Sequence, residues 1–115
     1  MDEIVRSSAL EIGEGIHRGD YSSEEATQAF LNRIPRLQAT LGAFALYAPG
    51  NAIRTARAAD ARRARSEPNT LPLLHGVPSA IKDLVMTRGT RTQFGSRAFR
   101  YFIPPFSAPM VKRFK

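Results

Sequence analysis

A chain of 115 residues with a formal charge of +7 and no cysteine has room for one small domain or part of one, and its balance of apolar and charged residues is that of a folded, water-facing protein. The absence of thiols excludes cysteine nucleophiles, disulfides and thiolate metal centres, and the two histidines, His17 and His75, lack ligand spacing, so neither a metal nor a cofactor is expected. No apolar run approaches the roughly 20 residues of a bilayer span, and the acidic start Met1-Asp2-Glu3 is unlike a signal peptide, so no membrane partner and a cytoplasmic location are expected.

Basic chains of this size often bind nucleic acid. The distribution argues against it here, because arginines are scattered from Arg6 to Arg113 and the one dense run, Arg57 with Arg62, Arg63 and Arg65, falls where a helix would present a solvated face. A soluble surface, balanced by acidic residues elsewhere in a longer protein, is the simpler account.

Taken in chain order, Ala9, Ile12, Gly13 and Ile16 recur at helical spacing behind a Ser8/Glu11 capping box, and Gly19 is placed to end the helix. A second helix starts at Ser22 with Glu25 reaching back, and its apolar stripe runs through Ala26, Ala29, Phe30, Ile34, Leu37 and Leu41. Pro35 falls inside it. A proline lacks the amide hydrogen and costs roughly 3 kcal/mol in a regular helix interior, which predicts a kink or break. Residues 43–47 suit a short strand or extended linker. Pro49-Gly50-Asn51 then supplies a turn and an N-cap for an alanine- and arginine-rich helix from Ala52 to about Arg65, with Pro68 beyond it.

At Leu71 the composition changes: two prolines and a glycine within residues 71–78 predict an extended loop. The loop delivers Ala80-Ile81-Lys82-Asp83-Leu84-Val85-Met86, which read with period two carries apolar residues on both faces, as an interior strand would. A Thr/Arg/Gly-rich loop follows, and Ser107 onward reads as the start of an amphipathic helix with Met110, Val111 and Phe114 on one side. The segmentation is therefore a mainly helical stretch over about 1–68, then loop, core strand and helix start over 71–115, and the chain is expected to be truncated in mid-element.

Lys82 carries the most chemical information. An ammonium on an interior strand is expensive to desolvate, so it pairs with a carboxylate, lines a polar cleft, or loses its proton and becomes a base. Asp83, adjacent in the strand and so on the opposite face, is not its partner.

Leu73-Leu74-His75-Gly76-Val77-Pro78-Ser79-Ala80-Ile81-Lys82-Asp83 resembles the P-L-x-G-[VI]-P-x-x-[VI]-K-D segment of amidase-signature enzymes. Ser22-Ser23-Glu24, Arg33-Ile34, Leu41-Gly42-Ala43-Phe44 and Ala58-Ala59-Asp60 follow the order of that family's N-terminal landmarks, and Thr87-x-Gly89-x-x-Thr92-x-x-Gly95-Ser96 is similar to its next loop. The resemblance implies an α/β fold, a mixed sheet covered by helices, of which this chain is the N-terminal portion within one amidase domain. It also implies a Ser, cis-Ser, Lys triad that cleaves small-molecule amides, with Lys82 as the catalytic lysine. Neither serine is assignable, since nothing through Lys115 is similar to the family's Gly/Ser-rich stretch. Ser96 is the one candidate for shaping the substrate site, Ser79 reads as structural, and His75 reads as a hydrogen-bonding loop residue. The chain departs from the pattern at Pro35 and at Ser107-Ala108, where the family has Asp-Ala.

Three rival readings remain beside amide hydrolysis. One is the A subunit of glutamyl-tRNA amidotransferase, which applies the same chemistry to release ammonia from glutamine inside a complex. Another is a catalytically dead binding or assembly module, and the third is a basic nucleic-acid binder whose affinity falls steeply with salt. Core surface left exposed by a truncation predicts self-association.

Overall fold

Ser8 and Ser22 each open a helix in the way their sequence context dictates. In the computed structural model, which describes residues 2–114, helix α1 (Ala9–Arg18) begins with the Ser8 side chain accepting from the Glu11 amide and the Glu11 carboxylate accepting from the Ser8 amide. It stops at Gly19, whose φ of 80° is open to glycine at little cost. Helix α2 (Ser23–Leu41) repeats the box with Ser22 and Glu25 and ends at Gly42 in the same left-handed region.

Of the kink or break expected at Pro35, the break does not occur, and α2 runs through it to Leu41. The physical reason lies in the following loop. Pro35 has no amide hydrogen to offer the Leu31 carbonyl, and the Tyr47 hydroxyl donates to that carbonyl instead, at 3.1 Å. The Gln38 side-chain amide holds the same loop at Phe44 through two bonds, donating to the Phe44 carbonyl and accepting from the Phe44 amide. Residues 43–47 thus form a tethered linker rather than a strand. Tyr47→Phe should cost about 1 kcal/mol by leaving the Leu31 carbonyl without that donor. In a Pro35→Ala background, where the backbone can supply the bond, the cost should shrink, and a double-mutant cycle by urea denaturation reads the coupling directly.

Helix α3 (Pro49–Arg65) starts three residues before the expected Ala52, with Pro49 in the first turn, where its missing amide hydrogen costs nothing. Asn51 is accordingly inside the helix rather than capping it, and accepts from the Arg54 side chain. Of the arginines expected on a solvated face, Arg57, Arg62 and Arg65 are exposed, Arg57 being paired with Glu24, whereas Arg63 is half-buried and donates to the His17 carbonyl at 3.3 Å.

The core of this part of the chain is built by Ile4, Ile12, Ile16, Ala26 and Ala29, with Val5, Tyr21, Phe30 and Val77 packed against them. Each isoleucine so buried contributes roughly 1.5–3 kcal/mol. Ala56 of α3 is buried as well, and α3 packs on α2. Gly13 lets the 71–78 loop lie directly on α1, since a Cβ there would collide with the Leu73 carbonyl. The α2 stripe is only half used. Ala26 and Ala29 are buried, whereas Leu37 and Leu41 are 39% and 64% exposed.

Two of the glutamates that order these helices are held below the usual carboxylate range. For Glu24 the main cause is the Arg57 guanidinium, which donates to both carboxylate oxygens, and for Glu11 it is the Ser8 amide. A depressed folded-state pKa stabilises the fold above the ordinary carboxylate value and ceases to do so as pH falls through the depressed one. Stability should therefore decline on acidification below the reference value of 4.5. A Glu11→Gln/Glu24→Gln double variant should show a flatter dependence of the urea midpoint on pH.

The residue contacts divide the chain into two compact units, Met1–Pro78 and Ser79–Lys115. The second holds a short 3-10 turn at Arg97–Phe99 and helix α4 (Pro109–Phe114). No strand occurs among the described residues, so the core strand expected over Ala80–Met86 is not present and the described part of the chain is helical with long loops. The physical reason is that a strand needs a neighbour for its outward amides and carbonyls. With none available, residues 80–86 stay irregular and turn on themselves.

Candidate active-site segment

Lys82 sits at this turn. Its carbonyl accepts from the amides of Leu84 and Val85, at 2.8 and 3.0 Å, so the chain reverses immediately after the lysine instead of extending through it. The side chain is exposed, not held on an interior strand, and makes no ion pair among the described residues. The neighbouring Asp83 does the anchoring. Its Oδ1 accepts from the Gln93 amide at 2.8 Å, which ties the turn to the middle of the Thr/Gly loop. Asp83 is thus not the partner of Lys82, although the strand alternation from which that was inferred does not exist. The aspartate thus fixes the backbone that carries the exposed lysine.

The loop is held at further points along its length. The Gly89 amide donates to the Pro104 carbonyl, the Thr92 amide to the Phe102 carbonyl, and the Ala108 amide to the Met86 carbonyl. Thr92 is buried. Phe94 adopts a φ of 55°, costly for a side chain of this size, and is followed by Gly95 at 67°. The Phe94 ring is one corner of a cluster with Phe99 and Phe102, ring centroids 5.5–6.2 Å apart, which offsets part of that strain.

Ser96, the candidate for shaping the substrate site, caps the 3-10 turn with its hydroxyl accepting from the Ala98 amide. Ser79 is exposed in the loop. Ser107 is buried and its hydroxyl accepts from the Arg88 amide at 2.9 Å, strapping the start of α4 to the loop. Of the α4 residues expected on one apolar side, Val111 is buried while Met110 and Phe114 are exposed.

In the first unit, the loop that precedes Lys82 in sequence is bound at two consecutive residues. His75 donates from Nε2 to the Ala59 carbonyl of α3 at 2.9 Å, a hydrogen-bonding place rather than one with a positioned catalytic partner. The Ser23 hydroxyl donates to the Gly76 carbonyl at 2.5 Å. Gly76 has a φ of 80°, and a Cβ there would press on the Ser23 side chain. Asp60 of α3 completes the junction by accepting from the Ser23 and Glu24 amides at 2.8 and 3.0 Å. Asp60 was visible in the sequence only as a family landmark, and its task as a cap supplied from another helix depends on contacts that no local pattern encodes.

Residues 25–115, nearly four-fifths of the sequence and including Lys82 and Asp83, match the family model described as Amidase. The chain belongs to the amidase family. It is 42% identical over 109 residues to the A subunit of the glutamyl-tRNA(Gln) amidotransferase from Methylococcus capsulatus, a match covering 95% of this chain and 22% of that protein. With the A subunit of the corresponding enzyme from Moorella thermoacetica it shares 40% over 113 residues, covering 98% and 23%. Among solved structures it is similar, with a TM-score of 0.85 and 33% identity, to a chain from a vestigial protein complex described as revealing the evolutionary origins of an s-triazine catabolic enzyme. That match covers 94% of this chain and 23% of the other. This amidase-family chain therefore spans less than a quarter of the length of the relatives it matches. No helix among the described residues is long and apolar enough to cross a membrane.

Proposed function

We propose that this chain is the N-terminal, lysine-bearing portion of an amidase domain, and that the complete domain cleaves carboxamides by a Ser, cis-Ser, Lys relay with Lys82 as the base. The observation that carries the reading is Lys82 itself, which falls inside the family match and stands exposed on a turn whose backbone Asp83 anchors. In this mechanism the neutral Lys82 amine takes the proton of a bridging serine, and that serine takes the proton of the nucleophilic serine. The nucleophile adds to the amide carbonyl, the C–N bond breaks as the leaving nitrogen is protonated, and an acyl ester remains. Water then attacks the ester, releasing the carboxylate and restoring both hydroxyls. Both serines lie outside the 115 residues in this reading. Ser96, through the loop it caps, helps shape the substrate site.

A second reading within the same chemistry is favoured by the relatives. The identities of 42% and 40% are to A subunits of glutamyl-tRNA(Gln) amidotransferases, so the amide would be that of glutamine, with ammonia as the nitrogen product and the other subunits of such a complex for partners. Comparing glutamine with simple amides as substrates of the complete domain separates the two.

The 115-residue chain by itself should hydrolyse no aryl amide above background, because a base without a nucleophile has no acyl-enzyme route. Turnover by the purified chain that disappears in Lys82→Ala would overturn this account.

A further inference from the structure

A base in a proton relay works only within hydrogen-bond reach of its partner, so its placement is part of the chemistry. Lys82 is exposed and makes no ion pair among the described residues, which leaves the backbone beneath it to set where its amine can go. Of residues 80–86, Asp83 is the one whose side chain hydrogen-bonds outside the segment among the described residues, accepting from the Gln93 amide at 2.8 Å. Gln93 is itself held from both sides. Before it, Thr92 is buried and its amide donates to the Phe102 carbonyl at 3.0 Å. After it, the Ser96 amide closes a turn on the Gln93 carbonyl at 3.0 Å, and Phe94 keeps a φ of 55° with its ring packed on Phe99 and Phe102. A bulky residue persists at positive φ only where its surroundings over-determine it. Asp83 therefore ties the lysine turn to a stretch whose own shape is fixed.

We propose that Asp83 is a positioning residue for the amide-cleaving relay, locking the Lys82 turn to Gln93 so that the base and the loop capped by Ser96 are carried as one body. The inference rests on the reading of Lys82 as the base of that relay. Closure of the loop does not depend on Asp83, because the bonds from Gly89 to Pro104, Thr92 to Phe102 and Ala108 to Met86 all join main-chain groups. Nor does charge account for its place, since the carboxylate pairs with no cation among the described residues. What Gln93 uses is an acceptor oxygen at the right distance. Asparagine offers the same oxygen without the charge, and glutamate offers the charge with a side chain one methylene longer, so the two variants separate positioning from electrostatics.

Two measurements test it. In the 115-residue chain the Gln93 amide should exchange at least about tenfold faster in Asp83→Ala, and within about threefold of the wild type in Asp83→Asn, while the Thr92 and Ala108 amides change little. In the complete domain, assayed with an aryl amide and with glutamine, Asp83→Ala should lower kcat by about tenfold to a hundredfold at a KM within about twofold of the wild type, the effect of a slightly misplaced base. Asp83→Asn should recover kcat to within about threefold with an unmoved pH–rate profile. Asp83→Glu, which lengthens the strap, should lose about tenfold in kcat, and it keeps the test decisive if Asp83→Ala does not fold. A fully active Asp83→Glu overturns the proposal, as does an Asp83→Ala whose Gln93 amide is released while kcat holds, since Asp83 is then a structural anchor alone. An Asp83→Asn as slow as Asp83→Ala, or with a displaced pH–rate profile, overturns it in favour of a role for the charge. Lys82→Arg on the same samples separates this proposal from the function beneath it. An inactive Lys82→Arg beside a fully active Asp83→Ala defeats the positioning role and leaves the function standing, whereas near-normal turnover in Lys82→Arg removes the base and both readings with it.

Discussion

Lys82→Arg in the complete amidase domain should lower turnover by roughly a thousandfold or more while leaving the protein folded. Arginine keeps the positive charge and the length of the side chain, but it does not give up its proton at any working pH, so it cannot relay one from a serine. Lys82→Ala should be equally inactive. Neither change should alter the stability of the 115-residue chain by more than about 0.5 kcal/mol, because the side chain is exposed and makes no ion pair among the described residues. The decisive comparison is a pH–rate profile of the wild type beside the arginine variant. Near-normal turnover with an unchanged profile would make Lys82 a structural cation and end its assignment as base.

The largest stability effect should come from Asp60. Its two carboxylate oxygens accept from the first two amides of α2, groups that have no partner within their own helix. Hydrogen bonds to a charged group contribute about 1.5–3 kcal/mol each, and a carboxylate also favours a helix N-terminus electrostatically. Asp60→Ala should therefore cost about 2–4 kcal/mol. Asp60→Asn should recover little, since its amide group turns a donor toward one of two donors. Urea denaturation monitored by circular dichroism measures both. A loss below about 0.5 kcal/mol for Asp60→Ala would mean that water caps the helix equally well.

The features legible in the sequence are those settled within one helical turn. Ser8 with Glu11 and Ser22 with Glu25 form their boxes from neighbours three residues apart, and Gly19 and Gly42 end the helices through their own freedom at positive φ. What could not be read depends on groups brought from elsewhere. The tolerance of Pro35 rests on the Tyr47 hydroxyl reaching back to Leu31. The alternation over Ala80–Met86 describes a strand only where another strand lies beside it, and among the described residues none does. The site divides in the same way. The position of Lys82 in its motif is plain, but the turn through its carbonyl and the hold of Asp83 on the Gln93 amide depend on contacts that no local pattern encodes. Exposed Leu37 and Leu41 mark the limit of periodicity, which identifies a face that prefers burial without saying what buries it.

Arg57 and Asp60, three residues apart on α3, grip the same first turn of α2, one through the Glu24 carboxylate and the other through the Ser23 and Glu24 amides. Such a double grip fixes the rotation of α3 as well as its distance. Each residue inserted into a helix turns everything beyond it by about 100°, so one extra residue between Arg57 and Asp60 would swing the carboxylate away from the amides while the guanidinium stayed in place. Length changes among kindred chains should therefore avoid the span between these two positions and gather in segments such as 66–70, between the end of α3 and the loop bound through His75 and Gly76.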